Sequence, residues 1–355
     1  MSDERSPRTL DDGEIACLVR EHWGEGVLHV EQRPGYMNDL AIVTTDCGRR
    51  VLRIHGRAMG LSRDARSAGR RLEAARERIL LGHDLAAMLA ATGLPVTTAL
   101  AACDGGTIVQ VHGMLLSYSA YAEGEPDDPY DPANIRAAAA LLARVHVASG
   151  RWRARKKWPG RAAPAAWLTV AHNVIATVQA LGAWQRCPAV GPHELALLAQ
   201  EAVVAGHLAH LAVPDDALLV IHGDFRAANL LFRRPGEVSA LLDFDFAQPA
   251  SALLDLGYAL CFYPAVLGHR PFSAAERELF LQHYAAAYGG APRWWGAVPV
   301  GERIALMRGL TLWLRMGCLE GFGDRVRAWI TAWLPLVLNR PPDVDRLLAE
   351  EACGR

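Results

Sequence analysis

The chain has 355 residues, of which 51% are hydrophobic and 21% are charged, and its formal net charge is -1. This length supplies enough apolar surface for one large domain or two smaller ones. The near-neutral charge excludes a strongly basic or acidic protein, so composition predicts neither a nucleic-acid partner nor binding to a membrane surface.

The seven cysteines are scattered along the chain, odd in number and without any C-x-x-C spacing. This pattern favours free thiols in a reducing compartment over a disulfide framework or a zinc site. The N-terminal segment, residues 1–14, is polar and lacks the apolar run of a signal peptide. No apolar run reaches the roughly 18 residues of a membrane-spanning helix. We therefore expect a cytoplasmic protein.

The first third of the chain is predicted to be rich in strands. Leu40–Thr45 and Arg50–Ile54 flank a turn at Asp46–Gly48 and are typical of a β-hairpin. Helical spacing over Ser67–Thr92 predicts a helix that ends at Gly93. Two shorter strands are predicted to follow, at residues 107–111 and 114–117.

Beyond Glu123–Pro132 the composition changes, and alanine and leucine predict helices at Ile135–Val147 and Glu194–Leu211. The last ninety residues are also predicted to be helical. The sequence thus predicts an α+β fold with two lobes. The small β-rich lobe spans residues 1–118 and the larger helical lobe spans 129–355, and a linker at 119–128 joins them.

Two segments are rich in basic residues, at Arg57–Arg78 and Arg151–Arg161. Charged runs of this kind usually form solvated helix faces and loops. They could also bind an anionic substrate or an acidic partner, and the sequence leaves both interpretations open.

The most informative segment is VIHGDFRAANLLF, Val220–Phe232, in which a polar loop separates two apolar runs. An acid follows a histidine by two residues, and an asparagine follows that acid by five. A further apolar run, Val238–Leu242, leads to Asp243. Folding these short strands back on each other predicts that the loop His222–Asn229 lies beside Asp243.

Asp224, Asn229 and Asp243 carry the hard oxygen ligands that suit Mg²⁺ better than zinc. An ionised aspartate can also orient a hydroxyl group and accept its proton during attack on phosphorus. The order H-G-D-x-x-x-x-N followed by D-F-D parallels the protein-kinase order H-R-D-x-x-x-x-N followed by D-F-G. Singly, these parts are ordinary turns and caps, but their combination in this order favours phosphoryl transfer.

The segments VIHGDFRAANLLF, SALLDFDFA and LLDLGYAL resemble the aminoglycoside phosphotransferase and choline kinase superfamily. Within it, the chain is most similar to the branch of type II homoserine kinases, and a weaker resemblance extends over most of the chain. The resemblance implies a protein-kinase-like fold with two lobes, which binds Mg-ATP and phosphorylates a hydroxyl group of a small molecule.

The resemblance also implies a role for each matching residue. Asp224 matches the catalytic aspartate, while Asn229 and Asp243 match the metal-binding residues. Asp255 matches an aspartate that braces the catalytic loop, and Asp245 would support the site without binding the metal directly. His222 is predicted to be a structural hydrogen-bonding residue, and His146 a buried packing residue.

The segment Arg33–Val43 resembles the family's glycine-containing loop, which folds over the phosphates. Gly35 would permit close approach of the backbone, and Asn38 would donate to phosphate oxygens. A plain turn before a strand is the alternative.

Arg53 stands where the family often has lysine, and its guanidinium would position the phosphates. Glu77 and Asp84 are both candidates for its acidic partner. The hinge that pairs with adenine would lie near Ser119 and Tyr121, unless that segment is simply an edge strand. The absence of G-x-x-x-x-G-K-[ST] excludes a P-loop kinase.

The resemblance implies an acceptor such as homoserine, choline or an aminoglycoside-like antibiotic. A cationic acceptor would need acids, and Asp127, Asp128, Glu320 and Asp324 are candidates. Two alternatives remain: a kinase that acts on Ser or Thr of a peptide, and a non-catalytic nucleotide-binding module. The sequence does not distinguish ATP from GTP and does not indicate an oligomeric state.

Overall fold

The computed structural model describes residues 10–33, 38–55, 65–155, 218–264, 270–306 and 309. Gly35, the helix predicted at 194–211, the acids Glu320 and Asp324, and most of the last ninety residues lie outside the described residues. Parts of both basic segments also lie outside them. No helix in the described ranges combines the length and the apolar character needed to cross a membrane.

The chain divides into two compact units. The first consists of Met1–Glu125 and Ser239–Ala247, and the second of Pro126–Val238 and Gln248–Arg355. The short segment 239–247, which contains Asp243, therefore belongs to the first unit although it lies far from residues 1–125 along the chain. The predicted domain boundaries stay a prediction.

The first unit begins with helix α1, Asp12–Trp23. Asp11 and Glu14 form a capping box, in which each side chain accepts the backbone N–H of the other residue. The helix ends at Gly24, where a φ of 71° gives the left-handed cap that favours glycine. Buried residues of α1, including Ile15 and Val19, share a core cluster with residues of the sheet.

Five strands of the first unit form an antiparallel sheet in the order β1-β2-β3-β5-β4. Its strands are β1 Val27–Arg33, β2 Asn38–Thr45, β3 Gly48–His55, β4 Val109–Val111 and β5 Met114–Ala120. The predicted hairpin is confirmed, because Leu40 pairs with Arg53 and Thr45 with Gly48. The two shorter predicted strands correspond to β4 and β5.

Helix α2, Ala65–Ala91, is longer at its start than the predicted helix and ends close to the predicted position. Gly82, near the middle of α2, packs directly on the backbone of Phe244. A Cβ at position 82 would lie 2.5 Å from the carbonyl oxygen of Phe244. Glycine is therefore required here, although it weakens a helix interior. The close approach fixes segment 239–247 against α2.

The second unit is mainly helical in the described ranges. Its elements are α3 Pro132–Arg155, β6 Leu218–Ile221, β7 Leu230–Arg234, β8 Glu237–Leu241, β9 Gln248–Ser251, α4 Ala252–Phe262 and α5 Ala274–Tyr288, with β8 ending in the first unit. Strand β6 pairs with β9, and β7 with β8. Helix α3 packs against α5 and β6. These elements confirm the predicted α+β class, with a sheet at the N-terminal side and helices towards the C-terminal side.

Candidate functional site

The loop between β6 and β7 carries the H-G-D motif in the second unit. Gly223 adopts a φ of 82°, which permits a sharp turn directly after β6. A short 3₁₀ helix, Ala227–Asn229, follows and leads into β7. The backbone N–H of Ala227 donates to the carbonyl of Tyr263 at 2.9 Å, so the loop is tied to the end of α4.

Asp224 is buried, with 6% of its surface exposed, and both of its carboxylate oxygens have partners. Oδ1 accepts a hydrogen bond from the Tyr258 hydroxyl at 2.5 Å. Oδ2 accepts one from Asn229 Nδ2 at 2.9 Å and lies 3.1 Å from Arg226 Nε. Asn229 Nδ2 also donates to the backbone carbonyl of Asp224 at 2.8 Å. The structure thus brings Asp224 and Asn229 together and fixes the orientation of the carboxylate.

Asp255, at the start of α4, braces this loop as the resemblance implies. Its side chain accepts the backbone N–H groups of His222 and Gly223, each at 2.9 Å. Burial alone would raise the pKa of Asp255, but the hydrogen bond from His146 and neighbouring charges hold the pKa below its usual value. Asp255 therefore accepts these bonds as a carboxylate.

The two histidines near the loop are both hydrogen-bonded. His222 Nδ1 accepts the backbone N–H of Asp224 at 3.2 Å, which agrees with the structural role predicted for it. The interpretation of His146 as a packing residue is incomplete. His146 is buried, but its Nε2 lies 3.2 Å from Asp255 Oδ2 and its Nδ1 lies 2.6 Å from the Tyr284 hydroxyl. A buried imidazole needs such partners, and here they extend the brace to α5.

In the first unit, Arg53 and Asp243 form the centre of a second polar group. Asp243 follows β8 and has a φ of 62°, a left-handed conformation that is uncommon for a residue other than glycine. Arg53 Nη1 donates to Asp243 Oδ1 at 2.7 Å and to Asp245 Oδ2 at 3.1 Å. One guanidinium nitrogen thus connects both acids of the D-F-D motif.

Asp245 contacts more polar side chains than the sequence indicates. Its Oδ2 accepts a hydrogen bond from Asn38 Nδ2 at 2.6 Å and lies 3.3 Å from His55 Nδ1. Burial alone would raise the pKa of Asp245, but His55 and the charge of Arg53 hold the pKa well below the usual range. The amide of Asn38, predicted to face phosphate oxygens, here orients this carboxylate, and its contact with phosphate stays a prediction.

The acidic partner of Arg53 differs from the two candidates on α2. Arg53 pairs with Asp243 and Asp245 and not with Glu77 or Asp84. The reason is that α2 presents Gly82 and His83 on this side. Burial and the neighbouring His55 lower the pKa of His83 to about 4, so that it is neutral at pH 7.

Ser119 and Tyr121, predicted to be near the adenine, lie at and just beyond the end of β5. Ser119 pairs with Val51 of β3 and forms a bridge with Ala99. The backbone N–H of Tyr121 donates to the carbonyl of Arg49 at 3.1 Å, and the Arg49 guanidinium stacks 3.7 Å from the Tyr121 ring centre. Adenine binding by this segment stays a prediction.

Sequence reasoning missed three residues that contact the predicted site residues, although their spacing carries a signal. Tyr258 lies three residues after Asp255, so both project from one face of α4. His55 lies two residues after Arg53 and therefore on the same face of β3. Arg226 lies two residues after Asp224 in the loop itself.

Each predicted metal-binding residue, Asn229 in the second unit and Asp243 in the first, keeps one oxygen atom of the kind that magnesium prefers. Both side-chain hydrogen bonds of Asn229 use Nδ2, and Arg53 contacts only Oδ1 of Asp243, so Asn229 Oδ1 and Asp243 Oδ2 accept no hydrogen bond from described residues. Within those ranges, no group of three or more His, Cys, Asp and Glu residues forms a complete metal cage. Mg²⁺ usually binds through one or two carboxylates and substrate phosphates, so such a cage is not required.

A family model described as "Phosphotransferase enzyme family" matches residues 30–298 of the chain. No curated protein matches the chain. Among solved structures, an amicoumacin kinase in complex with AMP-PNP, Ca²⁺ and Ami is 15% identical, with a TM-score of 0.64 over 93% of this chain and 94% of that one.

Two other solved structures have the same fold. A microcompartment-associated aminopropanol kinase is 18% identical, with a TM-score of 0.64 over 93% of this chain and 99% of that one. A choline/ethanolamine kinase family protein from Mesorhizobium loti is 19% identical, with a TM-score of 0.56 over 91% and 92%. At these identities the likeness establishes a kinase-like phosphotransferase fold.

Proposed function

Because the chain belongs to the phosphotransferase enzyme family, we propose that it transfers the γ-phosphoryl group of ATP to a hydroxyl group of a small molecule. Membership confirms the predicted enzyme class, a phosphotransferase with an alcohol group as acceptor. The narrower placement with type II homoserine kinases stays a prediction.

The observation that carries this proposal is the geometry of Asp224. A buried carboxylate held by Tyr258, Asn229 and Arg226 has a fixed direction, as a residue that orients an acceptor hydroxyl requires. During transfer, Asp224 would accept the proton as the acceptor oxygen bonds to the γ-phosphorus. The bond from that phosphorus to its bridging oxygen breaks, and ADP leaves with the electron pair.

Asn229 and Asp243 would hold a divalent metal ion, for which Mg²⁺ is our proposal. Their oxygen donors and their order after Asp224 match the family's metal-binding residues. When bound, the ion neutralises negative charge that develops on the phosphates. The proposal assigns the Asp224 group and the Asp243 group to one reaction on the basis of the family motif.

Arg53 would bind phosphate oxygens, with Asp245 and Asn38 supporting its position. In the present structure Arg53 pairs with Asp243 at 2.7 Å. Binding of a metal ion to Asp243 would therefore require the guanidinium to share or release this carboxylate. Gly35, Ser119 and Tyr121 stay predicted contacts of the nucleotide.

The acceptor that we propose carries an amino group as well as a hydroxyl group. The matched structures are described as kinases of amicoumacin and aminopropanol and as a member of the choline/ethanolamine kinase family. Amino alcohols and amino-bearing antibiotics are thus the first candidates. Asp127, which is half-buried, and Asp128, which is exposed, are the described acids proposed to attract such a cation.

A panel of amino alcohols, antibiotics and Ser/Thr peptides, incubated with the protein and Mg-ATP, tests this proposal by mass spectrometry. We expect the mass of one phosphate group on a small molecule, and Asp224→Ala should abolish it. Asp104→Ala is the matched control, because Asp104 is an exposed acid whose side chain accepts the backbone N–H of Gly106 within its own turn.

Other outcomes of the same panel would support the alternatives. Phosphorylation of peptides alone would make the protein a peptide kinase. Nucleotide binding without any phosphorylated product would make it a binding module, and product formation that survives Asp224→Ala would contradict the assignment of Asp224.

A further inference from the structure

The hydroxyl of Tyr258 helps to hold the Asp224 carboxylate, and the reaction proposed above does not distinguish the two oxygens of that carboxylate. Tyr258 lies on α4, and its hydroxyl donates to Asp224 Oδ1 at 2.5 Å. We propose that Tyr258 is a positioning residue that makes Oδ1, and not Oδ2, the atom that receives the acceptor's proton. This inference rests on the proposed function, because it concerns the same carboxylate.

The two oxygens of Asp224 have unequal surroundings. Oδ2 faces two nitrogen groups, Asn229 Nδ2 at 2.9 Å and Arg226 Nε at 3.1 Å. Among the described residues, Oδ1 receives one hydrogen bond, from Tyr258. Because each carboxylate oxygen can accept about two hydrogen bonds, Oδ1 keeps the capacity to accept one from a substrate hydroxyl.

Tyr258 also prevents the carboxylate from turning. Donors hold Oδ1 from one side and Oδ2 from the other, so rotation about the last side-chain bond of Asp224 would break bonds at both oxygens. Without the Tyr258 hydroxyl, the donors in the described part of the chain would anchor Oδ2 alone. The oxygen that faces the acceptor would then sample several directions, and fewer bound substrates would be aligned for attack.

Helix α4 holds Tyr258 in a fixed position. Ser251 caps the start of the helix by accepting the N–H of Leu253 at 3.1 Å, and the Tyr258 ring lies 4.9 Å from the ring of buried Phe262. Asp255, three residues earlier, holds the backbone of the loop. One face of α4 therefore fixes both the backbone of the loop and the direction of its carboxylate, as a precise site requires.

Tyr258→Phe removes one oxygen atom and tests the inference in the full-length protein. With the acceptor found in the panel, we expect kcat to fall about 10- to 100-fold, while the KM for ATP changes less than about twofold. The melting temperature should stay close to that of the wild type. Tyr130→Phe is the matched control, because the Tyr130 hydroxyl donates to the carbonyl of Arg270 in the same unit and should leave kcat unchanged.

A double mutant separates positioning from a general structural effect. If Tyr258 acts through the Asp224 carboxylate, Tyr258→Phe should not lower further the residual rate of Asp224→Ala, because residues that act as a unit are not additive. A further drop in that background would show a structural effect and overturn the inference.

The remaining outcomes keep the two claims apart. Wild-type kcat in Tyr258→Phe would overturn this inference and leave the proposed function intact. A rise in the KM for ATP without loss of kcat would also overturn it, since the hydroxyl would then serve nucleotide binding. Failure of the wild-type protein to phosphorylate any acceptor would remove the proposed function and this inference together.

Discussion

At the scale of single residues, the first unit depends on one carboxylate with several partners. Asp245 binds Asn38 and Arg53 and lies beside His55, and its contacts lower its pKa although it is largely buried. A charged carboxylate in this position organises its neighbours, because protonation of Asp245 would weaken its interactions with all three of them.

Asp245→Asn should therefore destabilise the protein by about 1–3 kcal/mol, because Arg53 and His55 lose the charge that they face. Chemical denaturation at pH 7 measures this effect. Asp12→Asn is the control, since Asp12 makes an exposed hydrogen bond with Gln32 and should change stability by less than about 0.5 kcal/mol. Equal stability of the two variants would contradict the organising role of Asp245.

Asp255 offers a second prediction at the residue scale. Asp255→Asn keeps the shape but offers one acceptor oxygen where two now receive the N–H groups of His222 and Gly223. We expect a loss of about 2–4 kcal/mol in unfolding free energy, since the side chain is fully buried. Phosphotransfer should fall as well, because the loop that carries Asp224 loses its anchor. An unchanged midpoint of denaturation would refute this.

At the scale of elements, α2 contains a glycine that is needed for packing. Helix propensity alone predicts that Gly82→Ala stabilises α2 by up to about 1 kcal/mol. The added Cβ would meet the Phe244 carbonyl at 2.5 Å, so we expect destabilisation and lower activity through displacement of Asp243.

Gly150→Ala in α3 is the matched control for this prediction. No heavy atom of the described residues outside the helix lies within 4 Å of a Cβ at position 150, so this change should stabilise the protein by up to about 1 kcal/mol. Thermal unfolding of both variants compares the two effects. A stabilising Gly82→Ala would show that segment 239–247 does not pack on α2 in solution.

The start of α5 gives a prediction for pH. Hydrogen bonds from Arg270 and Ser273 lower the pKa of Glu276 to about 2. Because the folded-state pKa is below the unfolded-state value, this contribution is complete above about pH 4.5 and is lost as pH falls towards 2. Glu276 is half-buried but its partner Arg270 is exposed, so solvent screens the pair and the effect should not exceed about 1 kcal/mol. Between pH 5 and pH 3, the stability of Glu276→Gln should fall less than that of the wild type.

At the scale of the whole molecule, local patterns predicted the elements better than their long-range partners. The hairpin of β2 and β3, helix α2 and the alternation of apolar runs around Asp224 follow from periodicity and turn residues, which act locally. The membership of segment 239–247 in the first unit depends on contacts such as the Leu241 N–H with the Pro95 carbonyl at 2.7 Å. Such contacts join positions far apart in the chain, and no local pattern encodes them.

Contacts between distant positions also explain why the sequence does not reveal the partners of Arg53 or the contact of Tyr258 with Asp224. The family resemblance makes both acids on α2 candidates, but the side of the helix that packs here is set by the contact of Gly82 with Phe244. For Asp224 and Asn229, the motif predicted residue identity and proximity. It did not predict which carboxylate oxygen each neighbour contacts, because that depends on the placement of α4.

The discontinuous first unit leads to a prediction about fragments. Residues 1–125 alone lack the segment that pairs with Pro95 and supplies Asp243 and Asp245 to Arg53. We expect this fragment to unfold at lower denaturant than a fusion in which a flexible Gly/Ser linker joins 1–125 to 239–247. Circular dichroism during urea titration measures the difference, and coincident transitions would contradict the expectation.

This discontinuity also has a consequence during synthesis on the ribosome. Residues 1–125 emerge first, but the piece that completes their unit begins 114 residues later, at Ser239. At about 5–20 residues per second, roughly 6–23 s pass before that piece is made. During this interval the nascent N-terminal sheet lacks segment 239–247, and the surface that this segment contacts in the first unit is exposed. We therefore expect chaperones to bind the nascent chain mainly at this surface.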